Sequence, residues 1–569
     1  MAANNNLLGI CSGGPSGVAL FQNGKLTLAV NEERLTGIKL DRSYPHNSIN
    51  WCLKESGLSH KNIDAICYGF STGIEQGDFM ASMIKRLYEY SADPKALKAI
   101  CERLSIEAEV DSKKRKSFYE ETSKIFPETP VYSCSHHQAH QACAYMASPF
   151  KKALVITSDG RGDFESFTIS TANSKEINKI YNSFSWESLG YFYGRITNLC
   201  GFKPERHEGK ILGLSAHGNP KLAKHLVDKM VEIKDGKIHT FPGDFYTPFF
   251  TNYSQRLKDE ASKFSREDLA AAAQLKLEEI VCNLVSNHIH KTGLKDICLA
   301  GGVFTNVRLN QKIKNLQEVN DVFVYPNMGD DGLCAGAVYH KLLYEHEISS
   351  SPIKSLYLGP KISNNNILST LRKKEFKVEK FKNLYEEVVR LLDKEKVIAL
   401  VQGRTEFGPR ALGNRSILLT PDSKSLSDSL NKRLNRNDFM PFAPVIASNF
   451  AKRCLVNYSN SQFSARHMTI TYNVSSEFKK NSPAVVHLDG SVRPQVVFKE
   501  DNLFLYGLLN HWYNKTGKLC LINTSFNLHE NPIASLEKDI IYSFESNAVD
   551  CLLFPPYLAF QKEMEHTLS

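Results

Sequence analysis

The chain has 569 residues, 42% hydrophobic and 23% charged, which describes a globular protein of more than one domain and excludes a disordered chain. Seventy basic against 61 acidic residues leave a net charge of +9, mild at this size; it suits anionic substrates such as ATP and argues only weakly for nucleic acid. There is no bilayer-length apolar run, no leader-like start in MAANNNLLGICSGG, and no CxxC pair among thirteen cysteines, so we expect a cytoplasmic protein with reduced thiols and no membrane partner.

In chain order, Leu7–Cys11, Val18–Gln22 and Leu26–Val30 read as short strands, the last two joined by the hairpin signal Asn23-Gly24. A helix is expected near Asn47–Glu55 and a buried strand at Ala65–Gly69. Residues 75–125 are charged and mostly helical; the basic run Lys113-Lys114-Arg115-Lys116 falls there and reads as a solvated helix face, with a polyanion contact as the lesser reading. ALVITSD, 153–159, is a strong buried strand ending on Asp159. A long amphipathic helix over Arg266–Lys291 and a strand over Asp296–Ala300 complete an α/β pattern. Ser349-Ser350-Ser351-Pro352 breaks that pattern, giving domains at 1–350 and 356–569.

Four residues of the first domain suit one metal ion. His136 and His140, in SHHQAHQACAY, share a helix face at i and i+4, and His137 points away from them. Asp159 lies at a strand's carboxyl end, where ligands of α/β sheets collect; Asp330, in NMGDDGLCAGA, follows the strand Val322–Tyr325. Two imidazoles and two carboxylates fit a divalent first-row ion such as iron, manganese or zinc, and the absence of HExxH speaks against a zinc protease. Glycine-rich turns surround them: GGPSG at 13–17, SDGRGD at 158–163 and AGGVFTN at 300–306. Together they resemble the phosphate and adenosine motifs of the ASKHA fold of actin, sugar kinases and Hsp70.

In the second domain, a buried strand over Val397–Val401 runs into GRTEFGPRALGNRS, where Arg404, Arg410 and Arg415 stand among glycines and a proline. Glycine lets backbone N–H groups approach a ligand and Arg offers a fork of donors, so the loop suits an anion; alone, the same residues also suit a surface turn with solvated arginines.

With NEER at 31–34 and Lys39, HHQAH, SDGRGD, SLGYFYGRIT, HEGKILGLSAHG, GGVFTN, GDDG, EFGPRALGNRS, MPFAPV, DGSVRPQ and NTSFN, all in order, the chain resembles the NodU/CmcH carbamoyltransferase family, which includes a tobramycin carbamoyltransferase. The resemblance implies an ASKHA-type domain followed by a YrdC-like α/β domain. It implies that the YrdC-like half makes carbamoyl-adenylate from carbamoyl phosphate and ATP, taken with Mg2+, and that the ASKHA half passes the carbamoyl group to a hydroxyl. By the same resemblance Fe2+ or another divalent first-row ion sits on His136, His140, Asp159 and Asp330. Lys39, Arg410 and Arg493 are carried over as catalytic residues, and Arg410, Arg415, Arg436, Arg493, Asn523, Ser525 and Asn527 as the anion and nucleotide site. Gly160, Gly209, Lys210, Gly301, Gly302 and Asn306 are carried over as nucleotide contacts in the first domain.

There are departures. Gly14-Pro15-Ser16-Gly17 replaces the family's His-Asp motif in the first hairpin, Leu434 and Met440 stand where a lysine and an arginine are usual, and Glu530-Asn531-Pro532 replaces Gly-Glu-Pro. The leading expectation is an O-carbamoyltransferase acting on a small hydroxylated acceptor, a sugar or secondary metabolite. Its rivals are the same chemistry on a hydroxymethylated nucleobase in nucleic acid, a non-catalytic nucleotide-binding homologue, and an ASKHA sugar kinase. The acceptor and oligomeric state stay open, a homodimer included.

Overall fold

The structure is a computed structural model and describes residues 5–70, 77–247, 254–346, 350–435 and 441–562. Its contacts divide the chain into two compact units, Met1–Thr27 with Leu53–Pro352 and Leu28–Cys52 with Ile353–Ser569. The main crossing therefore follows the Ser-Pro break. The sequence reading had kept 28–52, which contains NEER and Lys39, in the amino-terminal domain; its contacts group it with the carboxy-terminal unit.

Strands of the first 350 residues are β1 (Asn6–Cys11), β2 (Gly17–Gln22), β3 (Lys25–Asn31, which straddles the division at Leu28), β4 (Ala65–Tyr68), β5 (Val131–Ser133), β6 (Ala153–Gly162), β7 (Glu165–Ala172), β8 (Ile177–Phe184), β9 (Val231–Lys234), β10 (Lys237–Thr240), β11 (Asp296–Ala300) and β12 (Asp321–Val324). Asn23 and Gly24 both take positive φ, 54° and 74°, the conformation a two-residue hairpin turn demands. One sheet has the order β3-β2-β1-β4-β5 and the other β12-β11-β6-β7-β8. Read from either first strand, the order is 3-2-1-4-5: β2 and β7 run antiparallel to β1 and β6, while β4, β5, β11 and β12 continue parallel. The same five-stranded topology thus occurs twice, which is the ASKHA arrangement.

After each fifth strand the chain enters a helix, His136–Met146 after β5 and Leu333–His346 after β12, and the two helices pack on each other. Glycine makes this approach feasible. A Cβ on Gly336 would lie 2.3 Å from the Ala139 carbonyl, and one on Gly9 would lie 1.8 Å from that of Cys334. The long helix expected at Arg266–Lys291 spans Arg266–Thr292, begins on the Ser265 side chain and ends at Gly293 with φ 71°.

In the second unit β13 (Tyr357–Lys361) pairs with β16 (Arg404–Glu406). A mixed eight-stranded sheet contains β14 (Lys377–Lys380), β15 (Ile398–Val401), β17 (Arg415–Leu419), β18 (Ala443–Ala447), β21 (Gln495–Val497), β22 (Leu521–Ser525), β23 (Cys551–Phe554) and β24 (Tyr557–Phe560). Its order is β14-β24-β23-β15-β17-β22-β18-β21, and the short strands β19 (Tyr472–Asn473) and β20 (Ser491–Val492) pair beside it. Alternation along β15 sends Ala399 and Val401 into one apolar layer and Ile398 and Leu400 into the other. Both faces are covered, so the strands read as continuous apolar runs.

Candidate active site

His136 and His140 lie on the helix His136–Met146, whose start is fixed by a reciprocal cap. Gln138 N donates to Ser135 Oγ at 3.3 Å and Ser135 N to Gln138 Oε1 at 2.9 Å. Asp163, buried and in the left-handed region at φ 50°, accepts the His136 N–H at 2.8 Å; sequence reading missed it, although it closes the SDGRGD motif. Asp159 comes from β6 and Asp330 from the 3-10 turn Asp330–Gly332. One ligand atom from each of the four falls within 4.8 Å of the others.

The donor set fits a cation. His136 Nε2 stands 3.7 Å from Asp159 Oδ2 and 3.6 Å from Asp330 Oδ1, beyond ordinary hydrogen-bond length, and its two ring nitrogens are buried without a hydrogen-bond partner. His140 Nε2 is 3.1 Å from Asp159 and 3.7 Å from Asp330. Burial disfavours a charged His140, but hydrogen bonds and charge from Asp159 and Asp330 outweigh it and lift the imidazole to about 9. Burial likewise works against the Asp159 carboxylate, yet the two histidines hold it well below the usual range. A cation would take the place of these shared protons. The histidine side chains are buried while Asp159 and Asp330 keep 16% and 25% of theirs exposed, so the cluster is open on its carboxylate side. His137 turns away, Nδ1 2.6 Å from Thr157 Oγ1, and burial pushes it well below its ordinary value.

The glycine turns serve this cluster directly. Gly160 N and Gly302 N donate to Asp159 at 2.7 and 3.1 Å. Gly301 has φ 102°, and a Cβ there would meet the Ser158 carbonyl at 2.2 Å. Cβ atoms on Gly162 and Gly14 would come within 2.0 Å of the His136 ring and 2.9 Å of Asp330 Oδ2.

In the other unit the arginine loop is organised by an internal carboxylate. Glu406 Oε1 accepts the backbone N–H groups of Leu412, Asn414 and Arg415 at 2.7, 2.9 and 3.3 Å. Arg415 is fully buried, its guanidinium directed at the carbonyls of Gln402, Asn414, Pro360 and Gly403. Its place is inside the loop, as a brace. Arg404 donates to the Gly359 carbonyl at 3.1 Å. In both Arg410 and Arg415, Nε is buried without a hydrogen-bond partner and burial pushes the guanidinium down to about 10; Arg410 differs in that no carbonyl among the described residues holds its terminal nitrogens. Behind it, Asn523 donates to Gln495 Oε1 at 2.6 Å and to the Ala411 carbonyl at 3.2 Å, and Gln495 donates to the Leu412 carbonyl at 2.7 Å. Gln495 went unremarked in the sequence, although it ends DGSVRPQ.

With this geometry in hand, comparison with known proteins decides the family. The Carbamoyltransferase N-terminus family matches residues 7–339 and the Carbamoyltransferase C-terminus family residues 389–561. The chain belongs to the carbamoyltransferase family. An uncharacterized protein of Methanocaldococcus jannaschii is 33% identical over 97% of this chain and 99% of its own length. The nodulation protein NolNO of Sinorhizobium fredii is 28% identical over 95% of this chain and 78% of its own. Among solved structures, HypF of T. kodakarensis covers 61% of this chain at 14% identity and a TM-score of 0.33, with 49% of its own chain matched. Component A of the Acidaminococcus fermentans (R)-2-hydroxyglutaryl-CoA dehydratase covers 60% at 13% identity, also at TM-score 0.33, with 99% of its chain matched. The family makes this chain an enzyme, an ATP-dependent carbamoyltransferase.

The remaining expected residues of this carbamoyltransferase fall in both units, and Ser525 pairs with Ser416 at the end of the arginine loop. Lys39 groups with the carboxy-terminal unit, its ammonium 3.3 Å from Glu33. Glu33 also pairs with buried Arg34, which donates to the Gly408 carbonyl of the arginine loop at 2.7 Å. Gly209 and Lys210 lie on the helix Glu208–Leu214, with the Lys210 ammonium over the Phe202 ring. Asn306 caps the helix Val307–Lys314 through Leu309 N and exchanges hydrogen bonds with Gln274, so its amide is engaged within the fold. Ser525 and Asn527 bond each other at 2.5 Å, and Arg493 follows β20. Arg436 and Met440 lie outside the described residues.

Proposed function

We propose that this carbamoyltransferase combines ATP, carbamoyl phosphate and water to give carbamoyl-adenylate, phosphate and pyrophosphate at the arginine loop. A hydroxyl of a small acceptor, a sugar or secondary metabolite, then attacks the carbamoyl carbon at the His136/His140/Asp159/Asp330 cluster, and AMP leaves. The observation that carries the reading is the convergence of those four ligand atoms within 4.8 Å in a chain matched by carbamoyltransferase families in both halves.

Both co-substrates of the first step are anions, and their mutual repulsion must be offset where water is scarce. Arg410, whose guanidinium no carbonyl among the described residues holds, is suited to this, while Arg415 and Glu406 keep the loop in shape. Asn523 and Gln495 hold the loop's carbonyls from behind, so its donors stay turned away from that side. In the other unit His136, His140, Asp159 and Asp330 would hold a divalent cation, and when bound it supplies Lewis-acid polarisation of a carbamoyl or phosphate oxygen. Iron is the ion the family resemblance implies. Asp159 is oriented by Gly160 N and Gly302 N, which leaves its ligand face toward the histidines.

Incubating the metal-replete protein with ATP, carbamoyl phosphate and a panel of alcohols, sugars and oligonucleotides tests the reading. Pyrophosphate release without acceptor, and AMP formation with a gain of one carbamoyl group on a small acceptor, are expected. ADP as product would mean a kinase, a carbamoyl gain confined to oligonucleotides would move the acceptor class, and no pyrophosphate at all would sink the activation step.

A further inference from the structure

Three buried thiols converge on the backbone of the turn that carries Asp330. Cys11, at the end of β1, donates its S–H to the Asp330 carbonyl at 3.0 Å. Cys334, in the first turn of the helix Leu333–His346, donates to the Asp331 carbonyl at 3.3 Å. Cys143, on the helix that carries the two histidines, donates to the Gly332 carbonyl at 3.4 Å. Each thiol is at most 1% exposed, and the three acceptors are consecutive carbonyls. The donors come from three elements, two of them 319 and 189 residues away in sequence.

The surrounding backbone makes room for this arrangement. Gly9 lets β1 approach the Cys334 carbonyl, and a Cβ on Gly336 would stand 2.7 Å from Cys143 Sγ. Asp330 keeps 25% of its side chain exposed, so packing alone does not enclose its carboxylate. The main chain beneath it is the part the three thiols touch. A thiol hydrogen bond is weak, but a small polarizable side chain fills an apolar gap and still meets a carbonyl.

We propose that Cys11, Cys143 and Cys334 are positioning residues that hold the Asp330 turn in register with His136, His140 and Asp159 and so set the cluster's affinity for its cation. This rests on the metal reading above. The full-length protein would be titrated with cobalt(II) alone, following the d–d absorption bands and affinity by chelator competition. Cys11→Ala is expected to weaken cobalt binding about tenfold and shift the bands, as loss of a group supporting a ligand commonly does. Cys67→Ala, a buried thiol in β4, serves as a control for general loss of packing and should leave both unchanged at a comparable fall in melting temperature. Cys334→Ser, which keeps a donor, should retain near-native affinity where Cys334→Ala does not, and this pair keeps the test informative if Cys11→Ala fails to fold. Equal effects of Cys11→Ala and Cys67→Ala, or no effect of either Cys11→Ala or Cys334→Ala, would overturn the inference. Cobalt binding that survives His136→Ala would instead remove the metal reading on which it stands.

Discussion

At the scale of single residues, Arg410 and His136 should separate the two half-reactions. Each carries polar atoms that are buried without a hydrogen-bond partner, a costly state that a ligand would relieve. Arg410→Ala is expected to abolish pyrophosphate release, at least 100-fold down, roughly the loss expected when one charge-stabilising donor is removed, with bound metal per chain unchanged. His136→Ala should lose metal and carbamoyl transfer while pyrophosphate release persists. Exchanged phenotypes would mean that the two steps have been assigned to the wrong units. The convergence of these four residues was legible in the sequence because each has a local signature: i,i+4 spacing for the histidines, a strand end for Asp159, and a strand-to-helix turn for Asp330. The part played by Arg415 was not. Its position in a glycine-rich loop is the same whether it faces a ligand or four carbonyls, and only the fold decides between them.

At the scale of elements, the arginine loop is a turn built around a carboxylate. Three N–H groups that an incoming anion might have used are taken by Glu406 Oε1, so the loop has its own anion inside it. Removing that group leaves buried donors unsatisfied and the Arg415 charge without its opposite. Glu406→Ala should therefore cost roughly 3 kcal/mol in a urea titration and abolish activation together. A variant of native stability would show that the loop amides find other partners. Sequence periodicity had found the strand before this loop and the long helix near 266, because buried runs and amphipathic faces repeat locally. It could not reveal that Leu28–Cys52 packs with a unit beginning more than 300 residues later, since a contact at that range leaves no periodic trace.

At the scale of the molecule, each unit holds a histidine kept neutral by burial. His340 is pushed down to about 4, and His467 to about 3 by burial and then by the neighbouring Arg466 charge. Both are depressed below the unfolded value of 6.5, so the unfolded chain binds more protons and stability must fall as pH drops from about 6.5 toward 4. The loss is roughly 2 kcal/mol for each histidine by pH 5. Urea midpoints at pH 7.5 and 5 for the wild type, His340→Gln and His467→Gln isolate the two from the carboxylates; a wild-type slope unaltered by either change would refute the assignment. The amino-terminal unit also shares the residues of its His/Asp cluster unequally between its two sheets. Ile10 lies opposite Tyr68 just before Gly69, as Thr157 lies opposite Ala300 just before Gly301. By that register Ser12 in the first repeat stands where the second has Asp159.

The hairpin beside Ser12 bears on how this copy of the enzyme diverged. The resemblance puts a histidine at the place of Gly14, yet here a single carbon added to Gly14 would already crowd the Asp330 carboxylate at 2.9 Å. A side chain at position 14 would therefore require the Asp330 carboxylate to shift. Gly14→His should lower metal content instead of improving catalysis, while intact metal loading would show that Asp330 can step aside. At this position the cluster's own carboxylate occupies the space that a larger side chain would need.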